Sequence, residues 1–168
     1  SVQKVEFAFW SSFPNISVDL LDVKIPGRLR KTVLLTSEKF NLRFNPLDLL
    51  SGDYNLKQIN ITKGSLNLQI DSLGRENFDI IKNTKEGNDS DFRLALQAVR
   101  LKQMNVRYQN MATKQDYTSH VDLISLSGEL SKNEFEMLTQ GDIQVLNALS
   151  SGIPLIKNQR LEFDLSLS

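Results

Sequence analysis

Apolar and polar residues alternate one by one along much of this chain. Val5, Phe7 and Phe9 alternate with Lys4, Glu6 and the small Ala8, and Ile16, Val18 and Leu20 alternate with Ser17 and Asp19. The same pattern runs through Phe40, Leu42 and Phe44, through Leu66, Leu68 and Ile70, through Met104, Val106 and Tyr108, and through Leu161, Phe163, Leu165 and Leu167. Successive side chains of a strand point to opposite faces, so each segment reads as a strand with one apolar and one polar face. Antiparallel sheets suit such strands.

Several segments change parity midway. Leu20 is followed by Leu21, Val23 and Ile25, Leu56 by Ile59 and Ile61, and Leu94 and Leu96 by Val99 and Leu101. One extra residue, a β-bulge, returns the apolar side chains to their original face and bends the strand. The pattern therefore predicts a mainly β domain with one to three short helices. Its sheet is long, curved and mostly antiparallel, taco-like or a half-open barrel.

Helical signals are few. Asn45 suits a cap, Pro46 the first helical position and Gly52 the stop, so a short helix is predicted over 45–52. A second helical turn is read from Glu76 to Lys82. Asp142 to Gly152 carries both patterns. Strand is favoured there because Phe135, Met137, Ile143 and Val145 keep one parity. Turns are placed at Phe13-Pro14-Asn15, Pro26-Gly27, Lys63-Gly64, Leu73-Gly74 and Gly152 to Pro154. The polar stretch 83–91 reads as a mobile loop inside a single domain spanning 1–168. Leu56-Lys57-Gln58-Ile59-Asn60-Ile61 is echoed by Leu101-Lys102-Gln103-Met104-Asn105-Val106, either a chance likeness of two strands or a repeated unit stacked side by side.

Charge and chemistry narrow the function. Lys+Arg and Asp+Glu are both 20, so the basic excess of a nucleic-acid binder is missing. No cysteine is present, which excludes disulfides, thiolate metal sites and cysteine nucleophiles. No apolar run is long enough to span a bilayer as a helix, and Ser1-Val2-Gln3-Lys4 has no signal-peptide layout. The single histidine, His120, lies in a strand pattern and reads as a surface residue. Neither GxGxxG nor a P-loop occurs. Glu134 with Glu136, and Asp89 with Asp91, are carboxylate pairs whose spacing suits a solvated strand face and a polar loop. Asn88-Asp89-Ser90-Asp91 lacks the full EF-hand pattern. Sequons at Asn15, Asn60 and Asn88 matter only in a eukaryotic secretory setting. Trp10 reads as a core anchor. The chain reads as a non-enzyme with no cofactor and no metal.

The order of certain residues resembles the AsmA family. The resemblance begins at Phe13-Pro14-Asn15-Ile16-Ser17-Val18 and Leu21-Asp22-Val23. It continues through Leu42, Phe44, Pro46, Leu47 and Leu49-Leu50-Ser51-Gly52, then Ile59-Asn60-Ile61, Gly64 and Leu66-Asn67-Leu68. It ends on Asp71, Gly74, Asn77 and Phe78. That resemblance implies a periplasmic, non-enzymatic domain of a Gram-negative envelope, tethered to the inner membrane by a helix absent from this chain. This chain is then the N-terminal part of a longer periplasmic region. It also implies a β-groove with an apolar lining that holds or passes phospholipid, or another acyl-chain lipid, towards the outer membrane.

The candidate lining is Val5, Phe7, Phe9, Phe40, Leu42, Phe44, Leu66, Leu68, Ile70, Met104, Val106 and Tyr108. Two other readings stay open. The same face can pack a closed core, and an exposed strand edge can recruit outer-membrane assembly proteins by strand addition. A hydrolytic, glycan-active β-domain requires a polar cleft with two converging carboxylates.

Overall fold

A computed structural model describes residues 1–8, 15–47, 56–78, 98–130 and 135–167. These residues form β1 (Lys4–Ala8), β2 (Ile16–Pro26), β3 (Val33–Phe44), β4 (Leu56–Ile70), β5 (Ala98–Asn110), β6 (Gln115–Leu130), β7 (Phe135–Ser150) and β8 (Ile153–Leu167). All belong to one sheet whose spatial order follows the chain order. β1 and β8 are its two edges and do not pair with each other, so the curved sheet stays open. Every neighbouring pair is antiparallel except β4 and β5, which run parallel.

The register explains how parity-switching strands keep one apolar face. Residues opposite each other share a face. Leu20, Phe40, Ile61, Leu101, Ile124, Gly141 and Phe163 stand in one row across the sheet, continued to β1 by Val5. Beyond this row the ladders skip Asp22, Glu38, Lys63, Gln103 and Asp122 on successive strands. The next row holds Val23, Ser37, Gly64, Met104, Val121, Ile143 and Leu161. The skipped residues therefore form one seam across β2 to β6. Asp22, Lys63 and Gln103 take φ of 52°, 52° and 53°, left-handed conformations that absorb the extra residue. The switch expected after Leu20 is this seam. The switch between Leu56 and Ile59 is a separate bulge at Lys57, between the pairs Phe44–Leu56 and Arg43–Gln58. Leu94 and Leu96 lie outside the described residues.

Lys63-Gly64 is not a turn. It lies inside β4, where a Cβ on Gly64 would stand 1.9 Å from the Thr36 carbonyl oxygen. Glycine is needed there for a close backbone approach, not for a chain reversal. Phe13 and Pro14 lie outside the described residues, and the three remaining turns fall as expected. Pro26 ends β2, Gly74 has φ of 76°, and Ser151-Gly152 have φ of 52° and 77°, as in a type I′ hairpin turn. Pro154, however, is already in β8.

The Asn45 side-chain oxygen accepts a hydrogen bond from the Leu47 backbone N–H at 3.1 Å, the cap the sequence calls for. Pro46 and Leu47 are helical, and residues 48–55 lie outside the described residues. No helical turn starts at Glu76. Glu76 instead bridges to Ile70, and the Asn77 N–H donates to the Gln69 carbonyl at 2.9 Å. Asp142 to Ser150 is strand, as favoured. Positions 83–91 and Trp10 are not among the described residues. The two echoed hexapeptides do occupy adjacent parallel strands, but Leu101 stands beside Ile61 rather than Leu56, so the copies are out of step.

The residues after β4 are tied down by polar side chains. The Asp71 carboxylate accepts from the backbone N–H groups of Leu73 and Arg75, and from Arg75 Nε at 2.7 Å. Asn77 is fully buried and acts as a side-chain strand. Its Oδ1 accepts from the Gln69 N–H at 2.8 Å, and its Nδ2 donates to the Asn67 carbonyl at 2.8 Å. The Arg28 N–H, in the β2–β3 turn, donates to the Asn77 carbonyl at 2.7 Å. Asn77 thus closes the stretch of β4 that extends past its β3 partner. Asp71, Gly74 and Asn77, which carry part of the family resemblance, have a structural role here.

Candidate functional site

The apolar face is the feature that a ligand or partner would meet. Its centre is closed. Leu34, Leu35, Ile61, Met104 and Val121 form a buried cluster, with Ile25, Phe40, Leu66, Phe78, Val106 and Ile143 packed against it. Met104 is 0% exposed and Val121 1%. Met104 and Val121 face each other across β5 and β6 in the row just past the seam.

Towards β8 the same face opens. Leu161 is 42% exposed and Leu165 51%, and Ile156 is also exposed. These residues stand opposite Ile143, Thr139 and Ala148 of β7. Phe163 lies over Gly141, where an added Cβ would fall 2.4 Å from the ring, and so fills the space the glycine leaves. The opposite edge is exposed as well, at Val5.

The register brings together the lining expected from sequence. Val5, Phe40, Leu42, Phe44, Leu66, Leu68, Ile70, Met104, Val106 and Tyr108 share one face, and Phe7 is the register partner of Val18. Phe9 lies outside the described residues. Met104 belongs to the packed floor rather than to any accessible surface. Tyr108 stacks on Tyr117, with ring centroids 5.8 Å apart. Beyond this pair the face turns polar, at Asn110 opposite Gln115. The candidate lining omitted Leu101, Val121, Ile124 and Ile143, which the register places on the same face. It also missed that Leu161 and Leu165, singled out as strand residues only, form the open flank.

The other face is polar and cross-linked. Lys39 pairs with Asp19 at 2.7 Å, Asn41 donates to Asp19, and Asn60 donates to Asn41 at 2.8 Å. Burial pushes the Asp19 carboxyl up. Lys39, Asn41 and the charge of Arg43 outweigh this and leave it below the ordinary aspartate range. Arg107 pairs with Asp116 at 2.6 Å, and this bond, working against burial, holds Asp116 low. Arg160 binds Asp142 and reaches Asp122 at 3.6 Å. His120 lies on this face, with Nδ1 2.9 Å from the Asn105 side-chain oxygen. Asp142 and Glu162 are register neighbours, and Arg160 occupies Asp142. Glu134, Asp89 and Asp91 are outside the described residues. Among the described residues no cluster of three potential metal ligands occurs, and no helix is long and apolar enough to cross a membrane.

No family model matches the chain, and no curated protein matches it in sequence.

Proposed function

We propose that this chain is a non-enzymatic, AsmA-like envelope domain that holds or passes phospholipid, or another acyl-chain lipid, along an apolar β-groove. The observation behind this reading is the shared apolar face of an open sheet, closed at its centre and exposed along β8. Eight strands at about 4.8 Å spacing make an arc of about 34 Å. One leaflet of a bilayer core is about half of ~30 Å, about three strand spacings, so an acyl chain needs only the flank beside β8 and not the closed centre. Each methylene transferred from water is worth about 0.8 kcal/mol, so affinity needs no polar site. In this reading the full-length protein is periplasmic, anchored in the inner membrane, and directs lipid towards the outer membrane.

Organic extraction of the purified protein, followed by mass spectrometry, tests the reading. Co-purifying phospholipid that is reduced by Leu161→Glu and Leu165→Glu is expected. Lipid no higher than in a control protein prepared in parallel contradicts it.

The free edge of β8 supports a second reading, an interaction scaffold that recruits a partner strand, including outer-membrane assembly proteins. In that case a photocrosslinker on β8 captures protein rather than lipid.

A further inference from the structure

We infer that β8 is a self-complementary edge through which two copies of this chain pair antiparallel, joining their apolar faces into one continuous sheet. The inference concerns the edge of the second reading above but does not depend on lipid being bound.

An uncovered strand edge is a template for another strand, and proteins restrict it with charges and proline. β8 spans Ile153–Leu167, and its outer edge has no strand beside it among the described residues. Its charges are ordered. The basic Lys157 and Arg160 come first and the acidic Glu162 and Asp164 follow, all on the polar face. The neighbouring strand answers only Arg160, which pairs with Asp142. Lys157 stands opposite Asn147, Glu162 opposite another carboxylate, Asp142, and Asp164 opposite Gln140.

A two-fold axis at Leu161 supplies what β7 lacks. Arg160 then faces Glu162 of the second copy. Asn158 has φ of 54° and is already skipped by the β7–β8 ladder. Looping it out, as Asp122 is looped out between β6 and β7, brings Lys157 opposite Asp164 of the second copy. On the other face Leu161 meets Leu161, Phe163 meets Gln159, and Ile156 meets Leu165. Ile156, Leu161 and Leu165, all exposed in the single chain, are therefore covered by apolar residues of the second copy. Opposite charges directly across a ladder stabilise it and like charges oppose it, so a parallel or shifted pairing is disfavoured. The charges thus bar indiscriminate association and admit one register. Pro154, without an N–H, lies outside the paired segment.

Sedimentation equilibrium of the delipidated protein tests this, with lipid content measured separately so that the two readings fail independently. A species of twice 19.1 kDa is expected at high micromolar concentration. Lys157→Glu alone and Asp164→Lys alone each place two like-charge pairs across the two-fold and should weaken the dimer at least tenfold. The double variant should restore it. The chain has no cysteine, so Leu161→Cys should form a disulfide-linked dimer on mild oxidation, and Leu165→Cys alone should not. A protein that stays monomeric overturns the inference, as does a dimer indifferent to Lys157→Glu or a double variant that fails to recover. Circular dichroism confirms that each variant is folded.

Discussion

Replacing Asn77 with alanine should destabilise the fold far more than its position outside the eight strands suggests. Asn77 is fully buried, and its amide satisfies both the Gln69 N–H and the Asn67 carbonyl of β4. Alanine leaves that half-buried donor and acceptor unpaired. Each unsatisfied group costs about 1–3 kcal/mol, so the loss should be about 2–5 kcal/mol. For a chain of this size, about 2–4 °C of melting temperature goes with each kcal/mol, so Tm should fall by about 5–15 °C. The urea midpoint should drop by about 1–2 M at an unchanged m value. Asn77→Asp keeps an acceptor for Gln69 but sets a carboxylate against the Asn67 carbonyl, so it should be at least as damaging. Urea unfolding followed by circular dichroism measures both variants. An Asn77→Ala protein within about 0.5 kcal/mol of the parent would refute the assignment of Asn77 as a side-chain strand.

Gly64→Ala forces a methyl group onto the Thr36 backbone, 1.9 Å from its carbonyl oxygen; a loss of about 1–3 kcal/mol or more is expected by urea unfolding. Met104→Ala empties the centre of the buried cluster and should cost about 2–5 kcal/mol in the same assay. Asp19 is held low by Lys39 and Asn41 against burial, Asp71 chiefly by the Arg75 N–H, and Asp116 by Arg107. Their folded values lie below the unfolded one, so their stabilisation is present above about pH 4 and is lost as pH falls through the folded values. The urea midpoint should therefore stay level from about pH 8 to about pH 5 and decline below about pH 4. A decline starting near neutral pH contradicts this.

Much of the architecture is legible in the residue pattern, because a half-buried strand imposes a period of two. Phe40, Leu42 and Phe44 announce β3 and its apolar face directly, and the switch after Leu20 announces a bulge. The seam as a whole is hidden. Lys63 and Gln103 adopt left-handed conformations that no side-chain preference of lysine or glutamine reveals, and only the register aligns them with Asp22. For the same reason Lys63-Gly64 reads as a turn, since the signal of a glycine under a close backbone matches that of a reversal. The parallel pairing of β4 and β5 is equally silent, because alternation carries no strand direction. Asn77 is misplaced in a helix because a polar residue that substitutes for a strand leaves no periodic trace. At the apolar face, parity identifies which residues belong together. It does not distinguish the closed centre at Met104 from the open flank at Leu161.

The open flank is where the functional account is most exposed to test. A photoreactive amino acid placed in living cells at Leu161 or Leu165, on the apolar face of β8, can be compared with one at Lys157, on the polar face of the same strand. Mass spectrometry of the purified adducts then identifies what was captured. The lipid-groove account predicts phospholipid adducts at Leu161 and Leu165 and none at Lys157. Equal lipid labelling on both faces, or no lipid on either, contradicts it.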